Sequence, residues 1–267
     1  MLPLCLDDFE RFALLLHPSL VKYGRGLVRR CLVVTPDKDF DEILRRCPSG
    51  PYEVLAESTI APGLRDQTAP GWRRQQIVKL TVAELVETRF YLTLDADVMF
   101  TRQIGYGDVT RDGRAWFCVR RTGVHADWLR WSERVLLRRG DGAHYAVTPS
   151  ILATECVHRL LAHIVSLPAP AGRPRWPDAA TALLARWPWT EYTLYGIYAT
   201  SEGLLETHHW LRPIALYGNS LWRGGDLAAW DPAQSFTPDS RRFFTVIQSN
   251  AGFSPDAVLQ RVAPYLT

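Results

Sequence analysis

The sequence predicts a single α/β domain spanning residues 1–267, with a mostly parallel central sheet flanked by helices. Two observations predict it. Short apolar runs alternate with stretches in helical spacing through the N-terminal part of the chain, the order that covers both faces of a parallel sheet with helices. Neither an internal repeat nor a linker-like stretch interrupts the 267 residues, a length sufficient to bury one sizeable core.

The elements follow in order. "MLPLCL" (1–6) is an apolar run, and "DDFERFALLLHPSL" after it carries Phe9, Phe12, Ala13 and Leu16 in helical spacing. "RCLVVTP" (30–36) is a β-branched strand closed by Pro36. "DKDFDEILRRC" then has its acids early and its arginines late, as a helix dipole favours. "PYEVLAEST" (51–59) is a third strand, "WRRQQIVKLTVAELVETR" a long helix and "FYLTLDADV" a buried strand. Further on, "RAWFCVRR" (114–121) reads as a strand and "DWLRWSERVLL" as an amphipathic helix. "AHYAVTPSIL" reads as a strand leading into a helix over 151–165. "LPAPAGRPRWPD" (167–178) is a proline-rich loop. A helix is predicted over about 190–203, with strands near 211–217 and 243–248.

Composition narrows the function. With 47% hydrophobic and 22% charged residues the chain reads as soluble and globular, and a formal net charge of +3 is too mild to argue for nucleic acid. Only three of the 31 basic residues are lysines; coding bias or anion binding by arginine both account for that. Five cysteines lie without metal-ligand spacing, which suggests reduced thiols in a cytoplasmic protein. No apolar run reaches the length of a membrane span and no leader pattern opens the chain, so a cytoplasmic location is expected. Ten tryptophans fit either a thick core or a stacking surface for sugar rings.

The chemistry concentrates in "YLTLDADVMF" (91–100). In an extended chain residues i and i+2 point to one side, so Asp95 and Asp97 are expected to converge at the carboxyl end of a buried strand. Two hard carboxylates there suit Mn²⁺ or Mg²⁺ holding a diphosphate, with water and phosphate oxygens completing the shell. A solvated turn is the plainer reading. On the preceding helix Arg73, Gln76 and Lys79 fall one turn apart. Arg73, Arg74 and Lys79 there could meet the charge of a nucleotide diphosphate, or form an ordinary solvated face.

These residues, "GWRRQQIVKL…RFYLTLDADVMF", resemble the GT-A-fold glycosyltransferases, in which a helix bearing Arg or Lys precedes a strand ending in D-x-D. More narrowly, "WRRQQIVKL", "YAVTPSIL", "WTEYTLYGIYA" and "FTVIQSN" resemble a bacterial domain-of-unknown-function family assigned to that superfamily. The resemblance implies one Rossmann-like domain, with a nucleotide-sugar-binding half over 1–110 and an acceptor-binding half over 111–267. It implies a nucleotide-sugar donor, UDP being the commonest nucleotide for D-x-D enzymes, and a hydroxyl-bearing acceptor, either saccharide or small molecule. Asp97 would ligate the metal directly, with Asp95 nearer the ribose or the ion's water shell. Pro3 and Thr35 would line the nucleoside pocket, and Thr148 would contact the donor sugar. Many such enzymes add a late histidine to the metal. Here His208, His209 and the "QSN" of 248–250 are the late candidates, His209 and Asn250 foremost, with a polar strand face the alternative for the histidines.

A base for an acceptor hydroxyl must be a carboxylate able to take its proton. "WPWTEYTLYG" starts a helix after Pro188, with Thr190 as N-cap and Glu191 in the first turn. That resembles the acid at a helix start that serves as base in inverting members; a Glu placed there only by the helix dipole is the alternative. Two rival functions remain. A sugar-nucleotide pyrophosphorylase would want a glycine-rich loop after the first strand, and "LPLCLDDFERF" has none. A non-catalytic carbohydrate-binding protein is the other.

Overall fold

The computed structural model describes residues 1–65, 67–121, 125–145, 148–169, 175–212, 218–237 and 242–267. The chain divides into two compact units that interleave along the sequence. The first comprises Met1, Ala56–Thr93 and Arg111–Ile214, the second Leu2–Leu55, Leu94–Thr110 and Ala215–Thr267.

In the second unit, strands Leu2–Pro3, Cys31–Thr35 and Tyr52–Ala56 form one sheet in that order. The first two run parallel, with Leu2 opposite Val33 and Pro3 opposite Val34. All five residues of Cys31–Thr35 are buried, as their unbroken apolar run predicts for a strand covered on both faces. The helical stretch after the first strand runs from Leu6 to Gly24, but two of its segments, Phe12–Leu16 and Leu20–Gly24, are wound as π-helix. Pro18 lies between them. It has no N–H to close an ordinary turn onto residue 14, and a wider turn absorbs the missing bond. Phe12, Leu15 and Leu16 still face inward.

A second pair of strands closes this unit. Val98–Phe100 runs antiparallel to Phe244–Val246, with Phe100 opposite Phe244 and Val98 opposite Val246. This pair forms a two-stranded sheet of its own, brought together from strands more than 140 residues apart. Met99 and Ile247 pack with Leu15, Leu221, Trp230, Phe236, Val258 and Val262. The last two come from a C-terminal helix, Pro255–Leu266, whose start Ser254 caps by accepting from the Ala257 N–H. "SPD" is an N-cap followed by an N1 proline; that signal stands in the sequence, outside the elements expected above.

The first unit is built around helix Glu191–Ser201, in which every residue from Glu191 to Ala199 is buried. A helix apolar on all sides belongs inside a core. Helices Gly71–Thr81, Ala126–Leu136 and Thr154–Ser166 pack against it. Gly196 permits the tightest of these contacts, since a Cβ there would sit 2.3 Å from the ring of Tyr145. Strand Phe90–Thr93 pairs antiparallel with Ser150–Ala153, and Arg114–Cys118 runs parallel to His209–Arg212. The long helix expected from residue 72 stops being α-helical at Thr81 and ends in a 3₁₀ turn, Val82–Leu85. The described residues of 167–178 hold no helix or strand, as expected of the loop, and a short helix, Ala179–Ala185, capped by Asp178, follows at once. The expected positions 146–147, 170–174 and 213–217 lie outside the described residues.

His209 sits in this core, 1% exposed. The Ala153 N–H donates to the Tyr195 hydroxyl, which donates at 2.6 Å to His209 Nε2. Nδ1 lies 3.2 Å from the Ala115 carbonyl, so Nδ1 carries the proton. Burial pushes the imidazole down to about 3. Both ring nitrogens are therefore committed, and the expectation that His209 ligates a metal is overturned. His208 is buried as well.

All five cysteines are free thiols; Cys31 and Cys156 are buried, the others half-buried. No helix among the described residues is long and apolar enough to cross a membrane.

The histidine core carries a pH signature. His209 is held below its ordinary value of 6.5, so the folded state binds fewer protons than the unfolded one across that window. Its stability is complete above about pH 6.5 and lost as pH falls toward 3. Urea unfolding between pH 6 and 4 should lose up to ~1.4 kcal/mol per pH unit from this group. His209→Gln should flatten that slope, leaving the part due to His17, His144 and His208, which burial also lowers, His144 to about 4. An unchanged slope would mean that His209 is charged in the fold.

Candidate functional site

Two clusters, one in each unit, gather the residues that the sequence singles out. Strand Phe90–Thr93 does not continue through the aspartates that follow it. Val98 N–H donates to the Asp95 carbonyl at 3.1 Å, which closes a turn over Asp95–Val98. The side chains of Asp95 and Asp97 are thus set by a turn, not by the alternation of an extended strand. The plainer reading of a solvated turn fails also, because Asp97 is only 9% exposed.

What holds Asp97 is the antiparallel ladder beneath it. Its carbonyl accepts the Ile247 N–H at 3.0 Å, one step past the last strand pair. Its carboxylate Oδ2 accepts the Ser249 N–H at 2.9 Å. The "FTVIQSN" run therefore does reach the second aspartate, but through the backbone of Ser249. Asn250, expected as a metal ligand, is exposed on the 3₁₀ turn Ser249–Ala251 that carries this N–H.

Two residues passed over in the sequence stand beside these carboxylates. Burial raises the Asp8 carboxyl above its ordinary value; Cys5 and Arg11 oppose that shift, and the charge of Asp95 adds to it. Asp8 accepts from the Cys5 thiol at 3.6 Å. Arg11 donates from Nη2 to the Ser249 carbonyl at 3.2 Å and to the Phe253 carbonyl at 2.7 Å, while its buried Nη1 has no partner among the described residues. The first helical turn holds both residues, so "DDFER" carries the signal as an acid and a base three positions apart on one face.

Pro3 and Thr35 end the paired parallel strands, Pro3 opposite Val34. Both are buried, and the Thr35 hydroxyl has no hydrogen-bond partner among the described residues. A buried hydroxyl without a partner is uncommon enough to want a reason.

The donor set can be tested against Mn²⁺ or Mg²⁺. Among the described residues no three His, Cys, Asp or Glu side chains gather closely enough to hold a metal by themselves. The Asp95 and Asp97 carboxylates are hard oxygen donors, and two carboxylates fit a Mg²⁺-like ion that takes the rest of its shell from phosphate and water. They do not fit a preformed all-protein cage.

The first unit gathers the predicted helix residues around Glu191 instead. Lys79 Nζ donates to Glu191 Oε1 at 3.0 Å, with side-chain exposures of 3% and 4%. The ammonium also lies 5.4 Å from the centre of the Tyr192 ring. Gln76 Oε1 accepts the Glu191 backbone N–H at 3.1 Å and so serves a helix N-terminus that Thr190 occupies but does not cap with its side chain. Arg74 is bound bidentately to Glu57 and also donates to the Gln67 and Leu64 carbonyls. The expected donor contacts from Arg74, Gln76 and Lys79 are therefore corrected: Arg74 and Lys79 are ion-paired inside the protein, and Gln76 Oε1 is taken up by a helix N-terminus.

Glu191 is corrected in turn. A carboxylate buried against a lysine is not open to an acceptor hydroxyl, so it braces the core in this conformation, and the inverting expectation loses its base. Thr148 also turns inward. The Thr93 hydroxyl donates to the Ser150 carbonyl, Tyr192 therefore donates to Thr93, and Thr148 donates at 3.1 Å to Tyr192. Arg73 alone of the helix cations is left without a hydrogen bond from its side chain among the described residues; its guanidinium lies 4.6 Å over the Trp187 ring.

Over residues 1–267 the chain matches the family described as "Family of unknown function (DUF6492)", and it belongs to that family. No curated protein matches it. Among solved structures it is similar to the galactosyltransferase LgtC in complex with donor and acceptor sugar analogs, at 11% identity and a TM-score of 0.51, over 99% of this chain and 94% of that one. That likeness shows the fold: the chain is a GT-A-like α/β protein. A mouse xyloside xylosyltransferase 1 structure, apo form, aligns at 10% identity and a TM-score of 0.45 over 95% of this chain and 98% of that one.

The buried ion pair is open to a direct measurement. Lys79→Met leaves the Glu191 charge stranded and should cost about 3–5 kcal/mol in urea unfolding, whereas Lys79→Met combined with Glu191→Leu should recover most of that loss. A double variant as unstable as the single one would mean that the pair is not what the core depends on.

Proposed function

We propose that this chain is a divalent-metal-dependent glycosyltransferase that moves a sugar from a nucleotide-sugar donor, a UDP-sugar, to a hydroxyl group of an acceptor. The observation that carries it is in the second unit: half-buried Asp95 and buried Asp97 on one turn, with buried polar atoms of Thr35 and Arg11 that lack partners among the described residues. Parallel α/β sheets bind nucleotides at the carboxyl ends of their strands, where Pro3 and Thr35 stand. The GT-A-like fold is consistent with this reading.

In this proposal Asp97 and Asp95 hold the Mn²⁺ or Mg²⁺, with Asn250 at hand on the next turn. The ion supplies Lewis-acid neutralisation of the diphosphate leaving group. Ser249 keeps Asp97 in one orientation, so the carboxylate need not reorganise when the donor arrives. The buried Nη1 of Arg11 offers an N–H to a phosphate oxygen, a charge-assisted bond worth about 1.5–3 kcal/mol. The Thr35 hydroxyl offers the nucleoside its missing partner, against the wall of Pro3. Deprotonation of the acceptor is left to a group other than Glu191, so the configuration of the product is to be read from its NMR spectrum.

A thermal-shift panel of nucleoside diphosphates and nucleotide sugars, with and without Mn²⁺, tests the proposal. Binding at a hundred times Kd contributes about 2.7 kcal/mol, which for a chain of this size raises Tm by roughly 5–10 °C. The rise should need Mn²⁺ and should be lost in Asp97→Asn, which keeps an acceptor for the Ser249 N–H while removing the charge. No shift with any nucleotide, or an equal shift in Asp97→Asn, would sink the assignment.

A further inference from the structure

An aromatic surface in the first unit belongs to neither cluster. Trp72, 48% exposed, opens helix Gly71–Thr81. Its ring lies edge-on to Trp187 at 5.3 Å and 6.5 Å from Trp128. Trp128 in turn stacks near His125 at 4.3 Å. Four rings from three parts of the chain thus form one continuous surface, and the guanidinium of Arg73 lies on it over Trp187.

Two observations separate this surface from ordinary core packing. Trp176, Trp189, Trp210 and Trp230 each donate the indole N–H to a backbone carbonyl. Trp72, Trp128 and Trp187 make no such bond among the described residues. Arg73 Nε is buried and has no hydrogen-bond partner among the described residues, although its neighbour Arg74 has several. An exposed aromatic surface is a place where a ligand docks, and a buried guanidinium Nε without a partner is uncommon enough to want a reason.

We infer that Trp72, Trp128, Trp187 and Arg73 form a binding subsite for a saccharide bearing a carboxylate. The C–H faces of a pyranose ring stack on tryptophan, and its hydroxyls accept indole N–H bonds. A guanidinium held over a ring still has N–H groups to donate, and its fork matches the planar carboxylate of a uronic acid. The inference rests on the transferase reading in one respect: it names the acceptor class as an acidic saccharide.

The test is a tryptophan-fluorescence titration of the whole chain, without nucleotide or metal, using cellobiouronate and neutral cellobiose as probes. The acid should bind about tenfold more tightly or better, the worth of one charge-assisted bond. Trp72→Ala should weaken both probes. Arg73→Met should bring the acid down to the level of cellobiose and leave cellobiose unchanged. A flat titration with both sugars, unaltered binding in Trp72→Ala, or a surviving acid preference in Arg73→Met would each overturn the subsite. The Mn²⁺-dependent nucleotide shift, measured on the same samples, separates the two ideas. A normal shift with a flat titration removes the subsite alone, whereas sugar binding with no nucleotide shift removes the transferase and leaves a carbohydrate-binding surface.

Discussion

The contact between Lys79 and Glu191 sets the terms for the rest of its unit. Two opposite charges, each nearly sealed from water, cannot be separated without stranding one of them, and a stranded charge is far more costly than the pair. That fixes helix Gly71–Thr81 against the start of helix Glu191–Ser201. Gln76 then accepts the Glu191 N–H at the same helix start, and Tyr192 covers the ammonium with its ring. Arg74 ties the outer side of the same helix to Glu57. A basic helix that would suit a phosphate turns out to be spending its charge on the fold.

The second unit works from a different constraint. Asp97 is positioned by backbone: its carbonyl accepts the Ile247 N–H and its carboxylate accepts the Ser249 N–H. Strand pairing between Val98–Phe100 and Phe244–Val246 fixes the register of those contacts. Side chains can swing, whereas a ladder cannot slip by one residue without turning Met99 and Ile247 out of their apolar cluster. The orientation of an acid is thereby tied to the packing of a core.

Local signals made most elements legible. The buried run Cys31–Thr35, the acid-to-base gradient of Phe40–Arg46 and the all-round apolar pattern near Glu191–Ser201 each declare themselves within a short window. What stayed hidden was pairing over long separations. Nothing near Lys79 announces a partner 112 positions away, and nothing in "THHW" tells a ligand from a histidine held between Tyr195 and Ala115. For the aspartates the motif was legible but its conformation was not, because a turn and a strand end share the same residues. Arg11 and Asp8 were visible as a local pair, yet their relevance comes from Ser249 and Asp95, far off in sequence.

The contact at Gly196 has a consequence for comparing members of the family. The Tyr145 ring fills the space that any side chain at position 196 would need, and the Tyr145 hydroxyl is itself held by Asp141. The two positions therefore share one volume, in the way that a lock and its ward do. Divergence at either should be correlated: a larger residue at 196 should appear only in lineages where position 145 has become small. A lineage that breaks the rule would need to have moved the helix axis outward, and with it the buried pair at the helix start.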